Sequence, residues 1–203
     1  MKVVVLFSGA KDSTFAIYKA KQIGHEITSL VTLIPENPES YMFHHPNAEW
    51  TTMQAESMGI PIMIKKTAGE KEKELDDLES VLREAKKKHG IGGVVSGALA
   101  SKYQKSRIDG ICERLGLEPL APLWGTDPEE HWNNILGAGF EVIITAVASD
   151  GLGKEWLGRK IDTKALQELK TIGQKYGFNL AGEGGEFETF VLNGPIFRKP
   201  LCL

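Results

Sequence analysis

Lys2-Val3-Val4-Val5-Leu6-Phe7-Ser8-Gly9-Ala10-Lys11-Asp12-Ser13-Thr14-Phe15 is the stretch on which the fold turns. Lys2 to Phe7 is an apolar, β-branched run with no polar alternation, the pattern of a strand buried on both faces in a parallel sheet. The small polar string after it opens into a helix expected over 12–23. That helix has an apolar stripe of Phe15, Ala16, Tyr18, Ala20 and Ile23, and Gly24 as its stop.

Reading outward, the same alternation repeats. Apolar strands are expected at 27–34, 61–64 and 92–96, and helices at 48–58, 71–89 and 101–115. The helix over 71–89 is the most regular, with Leu75, Leu78, Leu82 and Ala85 at helical spacing and its charges on a solvated face. Strands alternating with helices predict an α/β fold, a doubly wound, mostly parallel sheet. After Pro119 the texture changes, with Pro119, Pro122, Gly125 and Pro128 close together. A helix over 128–136, a strand over 141–148, a helix over 163–176 and a strand near 187–192 predict a smaller C-terminal α+β domain. The expected division is residues 1–120 and 121–203.

Composition bounds the function. The chain has 203 residues, 41% hydrophobic and 25% charged, with a formal net charge of −3. That balance argues against a generic nucleic-acid or membrane-surface binder. Cys112 and Cys202 are too few and too far apart for a disulfide framework or a Cys-rich zinc site. The first apolar run is too short for a signal sequence or a membrane span. A soluble, cytoplasmic protein is expected.

Ser8-Gly9-Ala10-Lys11-Asp12-Ser13 falls between a parallel strand and a helix, in the crevice at the carboxyl ends of the strands. A helix start offers unpaired N–H groups and a positive dipole end, which favour an anion. Lys11, expected in a surface crevice, adds charge, and Ser8 and Ser13 add hydroxyls. Asp12 suits a phosphate site when a cation such as Mg²⁺ bridges it. The spacing matches neither a Walker A loop nor Gly-x-Gly-x-x-Gly. The plainer alternative is an ordinary capped turn.

Ser-Gly-x-Lys-Asp-Ser after the first strand resembles the PP-loop of ATP pyrophosphatases, which split ATP between the α and β phosphates. That family usually carries a second glycine where this chain has Ala10. Further stretches narrow the resemblance: Tyr41-Met42-Phe43-His44, the run from Ser96 to Arg107, Cys112 to Leu117 leading to Pro119 to Trp124, and Gly182-Glu183-Gly184-Gly185-Glu186-Phe187-Glu188-Thr189. Together they resemble the diphthine–ammonia ligase family across essentially the whole chain. The resemblance implies an adenine-nucleotide α-hydrolase-like fold and ATP-dependent amidation of diphthine on elongation factor 2. Ammonium would be the nitrogen source, an acyl-adenylate the intermediate, and AMP and pyrophosphate the products.

The resemblance and the residues together assign candidate roles. Ser8, Gly9, Ala10, Lys11, Asp12, Ser13, His44, Ser96 and Gly97 are expected to bind ATP, with Asp12 on Mg²⁺. Lys11, Glu183 and Glu186 are the expected catalytic residues, the glutamates holding or deprotonating ammonium. Tyr103, Gln104, Arg107 and Glu188 are expected on the substrate side. The plainer reading of the glutamate string is an exposed acidic turn. His131 reads as packing or a helix cap. Trp124, Trp132 and Trp156, with Lys154, Arg159 and Lys160, are a candidate docking surface for a protein substrate, although core packing is favoured for at least two of the tryptophans. With no nucleophilic cysteine and no room for a glutaminase, free ammonium is the expected donor. A homodimer is compatible with the sequence. A PP-loop enzyme acting on tRNA and a non-catalytic ATP-binding sensor are the alternatives.

Overall fold

The computed structural model of the chain describes residues 1–36, 50–70 and 73–202. A five-stranded sheet has the order β3-β2-β1-β4-β5, with every neighbouring pair parallel. Its strands are β1 (Lys2–Leu6), β2 (Glu26–Pro35), β3 (Ile62–Thr67), β4 (Gly93–Val95) and β5 (Glu118–Leu120). The crossovers are α1 (Lys11–Gln22), α2 (Thr51–Met58), α3 (Lys73–His89) and α4 (Lys102–Leu115). The chain then runs through α5 (Pro128–Gly137), β6 (Glu141–Val147), a short 3-10 turn at Lys154–Trp156, α6 (Thr163–Tyr176) and β7 (Phe187–Asn193).

The side-chain alternation of β1 sorts the molecule into layers. Val3, Val5 and Phe7 face a cluster with Phe15 and Ile17 of α1 and Ala55 and Met58 of α2. Val4 faces the other cluster, with Leu78 and Leu82 of α3 and Ile108 and Ile111 of α4. Helices therefore cover both faces, and the sheet is doubly wound.

The second half joins the first of these clusters and does not build a separate core. Trp132 and Ile135 of α5, Val142 and Ile144 of β6, Leu166 and Leu169 of α6, and Phe187 and Val191 of β7 all pack into it. β6 and β7 form an antiparallel pair, Ile143 opposite Phe190 and Val147 opposite Phe187. The chain after β7 returns to α2, where Arg198 N–H donates to the Ser57 carbonyl.

The sheet edge departs from the sequence reading, whereas the tryptophans follow it, two of the three packing in the core. β5 was not expected. It is short and contains Pro119, which lacks a ladder donor, and it is tolerated because β5 is an edge strand. Of the tryptophans, Trp132 and Trp156 are fully buried in the core, whereas Trp124 is exposed. Arg159 pairs with Glu168, and Lys160 with Glu141. Among the described residues, no helix is long and apolar enough to cross a membrane.

Candidate active site

β1 and β4 are neighbours whose following connections leave in different directions, so a crevice opens at their carboxyl ends. Residues 7–10 follow β1 and residues 96–101 follow β4, and these loops form the crevice walls. Gly9 has φ +81°, and a Cβ there would lie 2.4 Å from Gln54 Oε1. Glycine is therefore required twice over, by backbone angle and by close approach. The buried Gln54 amide pins the loop by donating to the Gly9 carbonyl at 2.9 Å and the Val191 carbonyl at 2.8 Å. Ala10 lies at φ −75° and ψ 167°, extended backbone that alanine adopts without strain.

α1 starts with few caps. Its N-cap residue, Ala10, provides no side-chain hydrogen bond. Lys11 N–H is met from β7 by Thr189 Oγ1 at 3.2 Å. Ser8 and Ser13 hydroxyls lie 3.1 Å apart, and Ser13 Oγ also donates to the Ala10 carbonyl. Gly97 packs directly on this helix start. A Cβ at position 97 would sit 2.7 Å from Ser13 N and 2.8 Å from the Asp12 carbonyl carbon. Position 97 must therefore be glycine for the loop after β4 to approach the first turn of α1 this closely.

The charged side chains of the loop turn inward. Lys11 is only 3% exposed, so it does not lie in a surface crevice as the sequence suggested. Its ammonium donates to Asp12 Oδ2 at 2.9 Å and to the Ala181 carbonyl, over the rings of Trp132 and Phe187. His131, fully buried on α5, places Nε2 2.6 Å from Asp12 Oδ1. Burial pushes the Asp12 carboxyl upward, but the Lys11 charge and the His131 hydrogen bond outweigh it and hold Asp12 below the ordinary range. An ionised carboxylate only accepts, so Nε2 is the protonated nitrogen of His131. Each Asp12 oxygen retains a further lone pair, and the side chain is 24% exposed. Asp12 can thus contribute one ligand to a magnesium ion that phosphate oxygens complete, although the described residues contain no cluster of three protein ligands.

The glutamate turn closes the site from the second half. Glu183 Oε1 accepts from Ala100 N–H at 3.0 Å, tying this turn to the loop after β4. Glu186 braces its own turn, accepting from Asn179 N–H at 3.0 Å and Gly184 N–H at 2.8 Å. Glu188 lies next along β7, between the buried Phe187 and Thr189. Burial pushes its carboxyl up to about 7, opposed by the charge of Lys11 and assisted by that of Asp12.

On α4, Ser101 caps the helix by accepting from Gln104 N–H at 3.3 Å, and the Arg107 guanidinium stacks 4.2 Å from the Tyr103 ring centre. Lys105 pairs with Asp109 one turn on. Ser96 is buried at the end of β4, its N–H on the Leu120 carbonyl. His44 lies outside the described residues. The structure brings together the loop residues 8–13, Gly97, Glu183 and Glu188. The sequence reading missed His131, Gln54 and the role of Thr189. Only Thr189 had a signal, as the last residue of the Gly-Glu-Gly-Gly-Glu-Phe-Glu-Thr string.

A strand, glycine-bearing loop and helix at the switch point of a doubly wound sheet place the chain among α/β proteins with a candidate ligand crevice there. The family described as diphthamide synthase N-terminal domain matches residues 1–119, and that described as diphthamide synthase C-terminal domain matches residues 127–203. The chain belongs to the diphthamide synthase family. A relative from Danio rerio named diphthine–ammonia ligase is 33% identical, the alignment covering 100% of this chain and 86% of that protein. One of the same name from Bos taurus is also 33% identical, over 100% of this chain and 83% of that protein. The Schizosaccharomyces pombe protein of that name is 32% identical over 100% of this chain, which spans only 36% of its length. Among solved structures, a predicted subunit of tRNA methyltransferase from Methanocaldococcus jannaschii DSM aligns with a TM-score of 0.52 at 19% identity. That alignment covers 96% of this chain and 98% of that one, a likeness of fold alone.

Proposed function

We propose that the chain amidates the carboxylate of diphthine on elongation factor 2, using ATP and ammonium. The observation that carries the reading is the meeting of Gly97 with the helix start of the Ser8–Ser13 loop at the switch point, where a Cβ would lie 2.7 Å from Ser13 N. Ser8, Gly9, Ala10 and the first-turn amides of α1 hold the departing pyrophosphate, with Ser13 and Lys11 assisting. Ser96 and Gly97 line the nucleotide side. Magnesium, held by Asp12 and phosphate oxygens, neutralises charge when bound.

The substrate carboxylate attacks the α-phosphorus and pyrophosphate leaves. Ammonia then attacks the acyl-adenylate and releases AMP. The protein contributes positioning and charge stabilisation. Residues 1–120 bind the nucleotide, while residues 121–203, with Tyr103, Gln104 and Arg107 of α4, meet the protein substrate. Trp124, exposed beside α4 with Lys105 over its ring at 5.7 Å, suits that surface.

Free ammonium as donor is supported by the cysteines. Cys112 is buried, and burial, then the charge of Asp109, pushes its thiol up to about 11, the opposite of an activated nucleophile. The test is incubation of the purified protein with diphthine-bearing elongation factor 2, ATP and ammonium. Amidated factor by mass and AMP by chromatography are expected. ADP as the main nucleotide product, or amidation that requires glutamine, overturns the reading.

A further inference from the structure

The ammonium group of Lys11 sits in a cage built for a small monovalent cation. Asp12 Oδ2 at 2.9 Å and the Ala181 carbonyl accept its protons. The ring centres of Trp132 and Phe187 lie 5.4 Å and 5.9 Å from Nζ, within cation–π range. α1, α5, the glutamate turn and β7 each supply one wall, and Lys11 is 3% exposed. A carboxylate, a carbonyl and two aromatic faces are what a desolvated ammonium ion needs in place of water.

Lys11 is also the loop lysine that the pyrophosphate reading asks to meet a phosphate, and its ammonium cannot be in both places. Its backbone is fixed by Thr189 Oγ1, so the motion available is that of the flexible side chain. When Nζ turns towards a phosphate, Asp12 loses one partner and the two rings lose their cation. The emptied cage retains acceptors arranged for N–H donors. Magnesium fits it poorly, because that ion gives up its waters reluctantly and takes only oxygen ligands.

We propose that this cage is the binding site of the ammonium substrate, occupied by the Lys11 side chain until the nucleotide's phosphates draw it out. The proposal rests on the reading that ammonium is the nitrogen donor. It places the nitrogen site at Asp12, Ala181, Trp132 and Phe187, whereas the carboxylates of Glu183 and Glu186 are engaged by backbone amides. It also makes ammonium binding follow nucleotide binding.

The experiment compares melting temperatures in ammonium, methylammonium and sodium chloride at equal ionic strength. Lys11→Ala empties the cage. It is expected to show a saturable rise of about 3 °C in ammonium over sodium, the size expected when a ligand well above its Kd binds only the folded state. Methylammonium, which replaces Nζ and its attached carbon, should act at least as strongly. Lys11→Met, whose thioether fills the path, should show no such rise. Wild-type protein should respond to ammonium only with a non-hydrolysable α,β-methylene analogue of ATP present, which keeps the test decisive if Lys11→Ala fails to fold. Equal responses to sodium and ammonium in the analogue-bound wild type overturn the proposal, as does an ammonium-specific rise in wild type without nucleotide. Failure of the parent reading appears separately, as ADP formation or glutamine dependence in the wild-type product assay.

Discussion

The phosphate loop and the glutamate turn carry the charged residues of the site and use them in opposite ways. In the loop, Lys11 pairs with Asp12, Asp12 also meets His131, and the bare backbone of Gly97 packs on the helix start. In the turn, Glu183 and Glu186 take up backbone amides at Ala100, Asn179 and Gly184. A row of carboxylates beside a phosphate site looks repulsive on paper. Two of the three are acceptors that hold loops in shape, and Glu188, half-buried on β7, is pushed towards its neutral form. The anion site is thus made by amides and by absent side chains more than by charge.

Gly97→Ala tests that statement most severely. Its methyl group would lie 2.7 Å from Ser13 N, in contact with backbone that cannot yield cheaply. Nucleotide-dependent activity should fall by roughly 10²-fold or more, the effect of losing positioned donors at such a site. Calorimetry with ATP should show the loss as binding. A variant with normal ATP affinity would mean that the phosphates sit elsewhere.

Lys11→Ala should also lower activity by about 10²-fold. Because Lys11 is buried against Asp12, Trp132 and Phe187, the variant should in addition lose about 2 kcal/mol of stability, the cost of one charged hydrogen bond at an Asp12 that keeps His131 as its other partner. Urea titration measures this directly. An unchanged midpoint would show that the cage contributes nothing to folding.

Much of the loop was legible in the sequence, whereas the way the turn works was not. Strand, small polar string and helix are local patterns, and the parallel sheet follows from apolar runs alternating with amphipathic helices. β5 was missed because a strand as short as Glu118–Leu120, containing a proline, carries no periodicity. His131 and Gln54 were missed for a different reason. Their partners, Asp12 and Gly9, are distant in sequence, and nothing local marks a buried histidine as a carboxylate's partner. The shared core was equally hidden, since the shift in composition after Pro119 suggested a boundary that the side chains pack across.

Glu188 gives the comparison a pH dependence. Its folded-state value of about 7 lies above the ordinary 4.5, so between those values the folded chain holds a proton that the unfolded chain has released. Stability should therefore fall as pH rises through that window, by at most about 3 kcal/mol. Glu188→Gln should flatten the curve there, as followed by melting temperature across buffers. A wild-type curve that rises through the window would reverse the assignment. Glu186→Gln is a milder change. Glutamine has one acceptor oxygen where Glu186 uses both, so one of the bonds to Asn179 and Gly184 becomes a neutral one and the other is lost, which should cost about 1 kcal/mol in this exposed turn. Its ammonium requirement should stay near that of wild type if Glu186 is a brace, and should rise if Glu186 binds the ion.

The smallest expected effect belongs to Ala10→Gly, which restores the residue usual in PP-loops. Were position 10 held at a positive φ, glycine would relieve strain and raise both stability and turnover. The observed φ of −75° removes that reason, and the positive φ belongs to Gly9, at +81°. Two opposing terms remain. Glycine loses more backbone freedom on folding than alanine. At a helix N-cap, however, glycine is preferred to alanine, and Ala10 is the N-cap of α1 with no side-chain bond to lose. These terms are of similar size, so stability should change by no more than about 0.5 kcal/mol. The KM for ATP should be unaltered, because the amides that face the phosphates belong to the same extended backbone in either case. Steady-state kinetics and a urea midpoint decide the matter: a several-fold gain in turnover with Ala10→Gly would show that alanine restricts a motion the loop must make, and that the anion site is not preformed by its backbone.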